Sequence, residues 1–332
     1  MDEPLWIDGH APSLSELPQP KAGRYLSQAV AEPINLVVYG PRGAGKTAAI
    51  RALATAAHDD PDNDFVEINV ADFFGRTKTE IRNDPRFAPF LQGRSQLSKR
   101  DMINHVLKEQ AAYAPVSGDY RTILLDNAEE IREDFQQALR RVMEKHHQAT
   151  QFVIATRQPS KLIAPIKSRC FPVPMRAPTH TETVEVLERI IEAEGVDHDR
   201  EGIEYVAGYG DGDLRRSILG AQTAHAEAGE VTMTAAYEAL GEIGLGDRMT
   251  AILEDADAGE FEAARGGLDE LIYDEGYAGE ELLRELLSAA RSRYEGERLA
   301  RIHRLAGEVD MELSEGVSDR VHLGRMLAEL GR

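Results

Sequence analysis

The chain contains one cysteine, Cys170, in 332 residues. A single thiol excludes an internal disulfide framework, offers no zinc spacing, and fits a reducing compartment. Long apolar runs are missing too. Nothing approaches the ~20 residues that a membrane-spanning helix needs. The opening MDEPLWIDGH is acidic and lacks both the positive start and the apolar stretch of a secretory leader. The expectation is a soluble, cytoplasmic chain with no membrane partner. Lysine is scarce, with none beyond Lys167, so the bases are mostly arginine. Acids outnumber bases 58 to 38, a formal charge of −20. Such a balance argues at first against nucleic acid as a partner. However, in molar salt the Debye length is about 3 Å, and net charge then says little about a local basic groove. The acidity therefore excludes nothing by itself.

What is present is ordinary globular material, 42% hydrophobic, over a length that suggests two or three domains. The first part alternates short apolar strands with helical patterns, the mark of a parallel α/β sheet. Strands are expected at 34–39, 65–70, 122–126 and 151–156, with helices at 46–57 and 135–145, the latter carrying Phe135, Leu139 and Val142 on one face. Pro172, Pro174 and Pro178 mark a break after Cys170, beyond which the pattern reads as entirely helical. Thr179 with Glu182 forms a capping box ahead of Val184, Leu187, Ile190 and Ile191. Helices follow near 201–209 and 213–228. After residues 244–246 comes a last helical block with stripes at Phe261, Ala264, Leu268 and Leu271, at Leu282, Leu286 and Leu287, and at Val321, Leu323 and Leu327. The expected division is 1–172, 173–240 and 241–332.

Residues 40–47 (Gly40, Pro41, Arg42, Gly43, Ala44, Gly45, Lys46 and Thr47) fit G-x-x-x-x-G-K-[ST] without a mismatch. The glycines let backbone N–H groups curl around phosphate oxygens, and the helix that follows presents its positive end to the same charge. In that pattern Lys46 reaches the β- and γ-phosphates, and Thr47 holds Mg²⁺. Asp126, ending an apolar strand, is the natural second carboxylate for the metal. ATP and Mg²⁺ are thus the expected cofactors. His146 and His147 are adjacent on a helix, point in different directions, and do not make a metal site.

Several segments together resemble the small subunit of replication factor C, a AAA+ clamp loader of archaea and eukaryotes. Asp126-Asn-Ala-Glu resembles that family's D-E-A-D element. Residues 136–144, Q-Q-A-L-R-R-V-M-E, look like its Q-Q-A-L-R-R-x-M-E helix. Ser160-Lys161, followed by Pro165-Ile166-x-Ser168-Arg169-Cys170, is similar to the stretch that carries its arginine finger. Gly212-Asp213-Leu214-Arg215-Arg216 is similar to the G-D-x-R-R element of its lid. The resemblance implies an α/β AAA+ domain followed by a helical lid and an all-helical collar. It implies Arg169 acting in trans on a neighbour's nucleotide and Arg215 acting as second sensor on its own. The implied partners are other subunits of a hetero-oligomeric ring, a sliding clamp and primed double-stranded DNA bound without sequence preference. The acid-rich, lysine-poor composition resembles that of proteins from salt-loving archaea.

The departures carry equal weight. Asn127 stands where the family has its catalytic glutamate and has no carboxylate to accept a proton. General-base help is worth ~10²–10⁴-fold, so slow hydrolysis at this chain's own site is the expectation. Glu129 and Glu130 lie close but in a different register. Arg157 aligns with the first sensor, a place where a long cation can bind the γ-phosphate or face solvent. Residues 5–12 resemble the family's W-x-E-K-Y-R-P box, keeping Trp6 and Pro12 without the Lys, Tyr and Arg. The segment 72–99 interleaves Arg76, Lys78, Arg82, Arg86 and Arg94 with Phe73, Phe74, Phe87 and Phe90. It reads equally as a DNA-facing loop, a plug for a clamp, or a solvated loop with a small core. Lys99 and Arg100 open the next helix and, with Arg76 and Lys78, are the candidates for DNA phosphate contact. Three functions are compatible: a clamp-loader subunit, an independent AAA+ remodeller, and a nucleotide-locked scaffold.

Overall fold

Parallel strands buried on both faces read as unbroken apolar runs, and the sheet shows why. A computed structural model of the chain describes residues 5–70, 76–84, 88–91, 97–241, 245–273, 276–314 and 318–331. Five strands, β1 (Leu36–Tyr39), β2 (Phe65–Asn69), β3 (Arg121–Asp126), β4 (Thr150–Thr156) and β5 (Phe171–Pro174), run parallel in the order β2-β3-β4-β1-β5. Alternate residues serve two cores. Val37, Ile123, Leu125, Phe152 and Ile154 join one, and Leu36, Val38, Leu124, Val153 and Ala155 the other. The longer helices of this part are α1 (Pro20–Ala31), α2 (Lys46–Ala57), α3 (Lys99–Ala112) and α4 (Glu133–His146). Leu26, Ile50 and Leu53 from α1 and α2 cover the second face, while Met102, Val106, Phe135, Leu139 and Met143 from α3 and α4 cover the first. Met143 joins the buried row of α4, and Val142 packs half-buried against the same core.

Two expectations about the strands change. Strand β1 starts at Leu36, with Ile34 exposed outside it. The prolines at 172 and 174 lie on a fifth strand, not in a break. Phe171 and Met175 donate their N–H groups to Asn35 and Tyr39 across the β1 ladder, so the alternate positions 172 and 174 face away from the sheet. Both are prolines and present no N–H there, which blocks pairing on an edge strand.

The chain falls into two compact units, Met1–Tyr237 and Glu238–Arg332. The first unit continues past β5 with α5 (His180–Glu194), α6 (Arg200–Gly210) and α7 (Leu214–Ala228), and α8 (Met233–Gly241) spans the division. This stretch is not wholly helical, since Asp197–His198 pairs in parallel with Glu230–Val231. The capping box at α5 is present, with Thr179 N–H donating to Glu182 and Glu182 N–H to the Thr179 hydroxyl. Arg176 binds the same carboxylate through both terminal nitrogens, and this pairing together with the cap holds Glu182 down to about 2.

The second unit is a bundle of α9 (Leu245–Asp257), α10 (Phe261–Tyr273), α11 (Gly279–Arg293), α12 (Gly296–Ser314) and α13 (Asp319–Leu330). Its core includes Leu253, Leu268, Leu271, Leu282, Leu286, Ile302, Leu323 and Leu327. Val321 is exposed rather than buried. Two residues along a helix is roughly 200° of rotation, so Val321 cannot share a face with Leu323, whereas Met326, Leu327 and Leu330 can. Arg298 and Arg301 donate to the carbonyls of Leu330 and Glu329, satisfying the open end of α13. Among the described residues, no helix is long and apolar enough to cross a membrane.

Candidate phosphate-binding site

The loop of residues 40–47 joins β1 to α2 at the carboxyl edge of the sheet, where β1 lies between β4 and β5. Its shape depends on glycine. Gly43 and Gly45 have φ of 70° and 85°, the left-handed region that other residues enter only at a cost. A Cβ on Gly40 would lie 1.8 Å from the Met175 carbonyl oxygen, and one on Gly43 would lie 2.0 Å from Asp213 Oδ1. Gln19, buried and absent from the sequence reading, ties the loop to the chain after β5. Its amide donates to the carbonyls of Ala44 and Arg176 at 3.0 and 2.9 Å.

Lys46 Nζ turns into this loop and donates to the carbonyls of Gly40 and Pro41 at 2.9 and 2.6 Å. Burial lowers its pKa, opposed by the charges of Asp126 and Glu129. The Thr47 hydroxyl donates to Asp126 Oδ2 at 2.7 Å, so the hydroxyl and carboxylate sought for a metal share one spot. The donor set fits: Lys46 and the loop N–H groups suit phosphate, and Thr47 with Asp126 suits Mg²⁺. Bound nucleotide would supply the bond to be hydrolysed and the metal would neutralise its charge. The chain's own part is to hold and orient them.

Asn127 sits in the left-handed region with φ 54°, a conformation Asn adopts more readily than most residues. Its N–H donates to Asp126 Oδ1, and its amide donates to Asn69 at the end of β2 at 3.3 Å. Glu129 is committed elsewhere. Its buried carboxylate accepts from the Thr156 hydroxyl (2.9 Å), the Arg157 N–H (3.1 Å) and Arg157 Nε (2.6 Å). Burial alone would push its pKa up, but these bonds overcome it and hold the group at about 2. So weak a base is a poor proton acceptor near neutral pH. The Glu130 side chain lies outside the described residues.

This carboxylate makes a pH prediction. Because its folded pKa lies below the ordinary 4.5, Glu129 adds stability that is fully present above pH 4.5 and fades as the pH falls toward 2. Urea unfolding of Glu129→Gln across that range should lose stability less steeply than the wild type. Equal slopes would contradict the pairing.

Arg169 lies in a turn between the short helix Ala164–Lys167 and β5. Its guanidinium donates to Glu144 Oε1 at 2.5 Å and to the Pro165 carbonyl at 2.8 Å. Glu144 ends the Q-Q-A-L-R-R-V-M-E run, and Gln136 begins it. Gln136 donates to the Lys161 carbonyl and accepts the Ile163 N–H. Helix α4 thus grips the arginine-bearing segment at two points ~12 Å apart, making the two sequence motifs one physical unit. Burial pushes the thiol of the adjacent Cys170 up to about 12.

Asp213 caps α7 and lies 3.8 Å from Arg42, while Leu214 N–H donates to the Gly43 carbonyl. The start of α7 therefore packs on the phosphate loop. Arg215 is exposed there, whereas Arg216 stacks over Tyr209 at 4.2 Å. Trp6 is buried against α7, its ring stacked on His225 and its backbone N–H donating to Gln222 Oε1. Arg76 forms a 2.5 Å ion pair with the buried Asp84, and Lys78 is exposed. The side chains of Lys99 and Arg100 lie outside the described residues, as do Phe73, Phe74, Arg86, Phe87, Arg94 and the side chain of Phe90.

Strand order, loop and acid together make the first unit a P-loop domain of the AAA+ class. The same fold is found in the Thermotoga maritima RuvB Holliday junction branch migration motor, which is 15% identical, with a TM-score of 0.54 over 85% of this chain and 90% of that one. Residues 27–179 match the family "DNA polymerase III, delta subunit", and residues 247–329 match "Replication factor C C-terminal domain". The replication factor C small subunit of Aeropyrum pernix is 31% identical over 338 residues, spanning 99% of this chain and 96% of that one. That of Halobacterium salinarum is 29% identical over 299 residues, 89% of this chain and 85% of its own. The chain belongs to the replication factor C small subunit family of AAA+ clamp loaders. Membership implies nucleotide binding, usually with Mg²⁺, and a family setting of hetero-oligomeric assembly.

Proposed function

We propose that this chain is the nucleotide-holding subunit of a clamp-loader ring. It binds ATP and Mg²⁺ at Lys46, Thr47 and Asp126, turns ATP over slowly itself, and lends Arg169 to a neighbour. The ring loads a sliding clamp onto primed DNA. The observation that carries the reading is an intact phosphate loop with a paired Thr47 and Asp126, beside Asn127 where a base is needed. In this reading, 1–172 is the nucleotide-binding domain, 173–240 the lid and 241–332 the collar, and Arg215 reports nucleotide state to the lid. DNA is met through its backbone by Lys99, Arg100 and Lys78. Arg76, held by Asp84, is the weakest of the DNA candidates.

A homomeric motor is the poorer reading, because it needs its own base at every site. The test is to assemble the chain with its partner subunits and a clamp and measure ATP-dependent retention of the clamp on primed circular DNA. Retention that requires this chain supports the proposal. Failure to co-assemble, or clamp loading that ignores the chain, overturns it.

A further inference from the structure

Of the two points at which α4 grips the arginine-bearing segment, one holds backbone and the other holds the guanidinium itself. Gln136 bonds to the Lys161 carbonyl and the Ile163 N–H, and so fixes the path of the chain. Glu144 instead accepts from Arg169 Nη2 on its Oε1. The other terminal nitrogen, Nη1, donates to the Pro165 carbonyl at 2.8 Å and to the Ser168 hydroxyl at 3.4 Å. Both terminal nitrogens are therefore turned onto the chain that carries them. Arginine meets a phosphate best with two parallel N–H bonds, so in this pose the guanidinium must let go before it can reach a neighbour. The carboxylate has a second cation in reserve. Arg140, one helical turn earlier on α4, donates its Nε to the same Oε1 at 3.0 Å. That bond is the foremost cause holding the Glu144 carboxyl below the ordinary carboxylate range, ahead of Arg169. Two arginines thus share one carboxylate oxygen, and either can leave without stranding a charge. Side-chain exposures of 39% for Arg140 and Glu144 and 35% for Arg169 make the pairing wet and weak.

We propose that Glu144 is the resting partner of Arg169, a latch that keeps the trans-acting guanidinium on its own chain until a neighbour's nucleotide draws it away. The inference rests on the trans role of Arg169 proposed above and names what regulates it. A terminal phosphate carries more negative charge than one carboxylate and offers more acceptor oxygens, so it outcompetes a weak, exposed pair. An empty neighbouring site offers no such charge, and Arg169 then stays on Glu144. When Arg169 leaves, Arg140 keeps the vacated oxygen, so the exchange strands no carboxylate. The latch makes Arg169 answer to the neighbour's nucleotide instead of standing permanently extended. Its consequence is a modest rise in the ATP concentration that the neighbouring site needs. An exposed ion pair corresponds to roughly 2- to 5-fold in such an equilibrium. Glu144 is a positioning residue and touches no nucleotide.

The experiment is steady-state ATP turnover of the assembled ring, at the lowest salt in which it holds together. This chain enters as wild type, as Glu144→Gln, as Arg169→Ala, and with both changes. Glu144 is exposed, and Gln keeps an acceptor for Arg140, so the single variant preserves the fold. The expected result for Glu144→Gln is a KM for ATP at the neighbouring site lowered roughly 2- to 5-fold, with no loss of kcat. In the Arg169→Ala background the same change should leave the residual turnover and its KM as they are, because the latch then has nothing to hold. An unaltered KM in Glu144→Gln overturns the latch. A lower kcat overturns it too, because Glu144 would then be orienting the arginine for the reaction. So does an effect that persists without Arg169. Full turnover in Arg169→Ala alone overturns the trans role itself, and the latch with it.

Discussion

A ring carrying Arg169→Ala in this chain is expected to lose ATP turnover at the neighbouring site by roughly 10³–10⁵-fold, the range for a trans-acting arginine. The basis is structural as well as electrostatic. Arg169 is presented on a turn gripped by α4, through Gln136 at one end and Glu144 at the other. Within this chain the guanidinium is held by Glu144 and the Pro165 carbonyl, and among the described residues it makes no bond to the phosphate loop. The substitution should therefore leave this chain's own affinity for ATP unchanged. Steady-state turnover of the assembled ring, alongside ATP titration of the isolated variant, separates the two effects. Unchanged ring turnover, or weakened binding to the isolated chain, contradicts the assignment.

Asn127→Glu is expected to raise this chain's own turnover by roughly 10²–10⁴-fold, by placing a carboxylate proton acceptor at a position where Asn has none. Two local features act against the full gain. The left-handed backbone at 127 suits Asn better than Glu, at a cost on the order of 1 kcal/mol, and the contact with Asn69 must be remade. Neither abolishes an effect of this size. Single-turnover hydrolysis at saturating ATP reads it free of binding differences. A variant no faster than the wild type would show that the missing base is not what limits hydrolysis.

How far the sequence led depends on the range of the interactions involved. The phosphate loop was legible because its chemistry is local: glycines, a lysine and a threonine within eight positions, between a strand and a helix. The buried strands 122–126 and 151–156 were legible for the same reason, as apolar runs with one sheet environment on each side. The pair Glu129–Arg157 was not, because its members are 28 residues apart and meet only where β3 and β4 lie side by side. Glu129 lies close enough to Asn127 in sequence to be weighed as a substitute base, though in a different register. Its actual partners, Thr156 and Arg157, show why it serves instead as an anchor. Pro172 and Pro174 misled for a different reason. Proline is excluded from interior strands but tolerated where the missing N–H faces off the sheet, and edge position is a property of topology, not of composition. The cap at Asp213 carried a usable local signal, an Asp directly before a helical run, although its packing on Gly43 did not.

The most direct test of the proposal that this chain holds ATP without consuming it is to measure equilibrium binding and turnover on the same purified protein. It should be done in high salt, where an acid-rich surface is screened, with Lys46→Ala as the control. Tight Mg-ATP binding that Lys46→Ala abolishes, with turnover near the uncatalysed background, is the predicted result. Brisk turnover by the isolated wild type, lost in Lys46→Ala, would contradict it and show that a group other than residue 127 activates the attacking water.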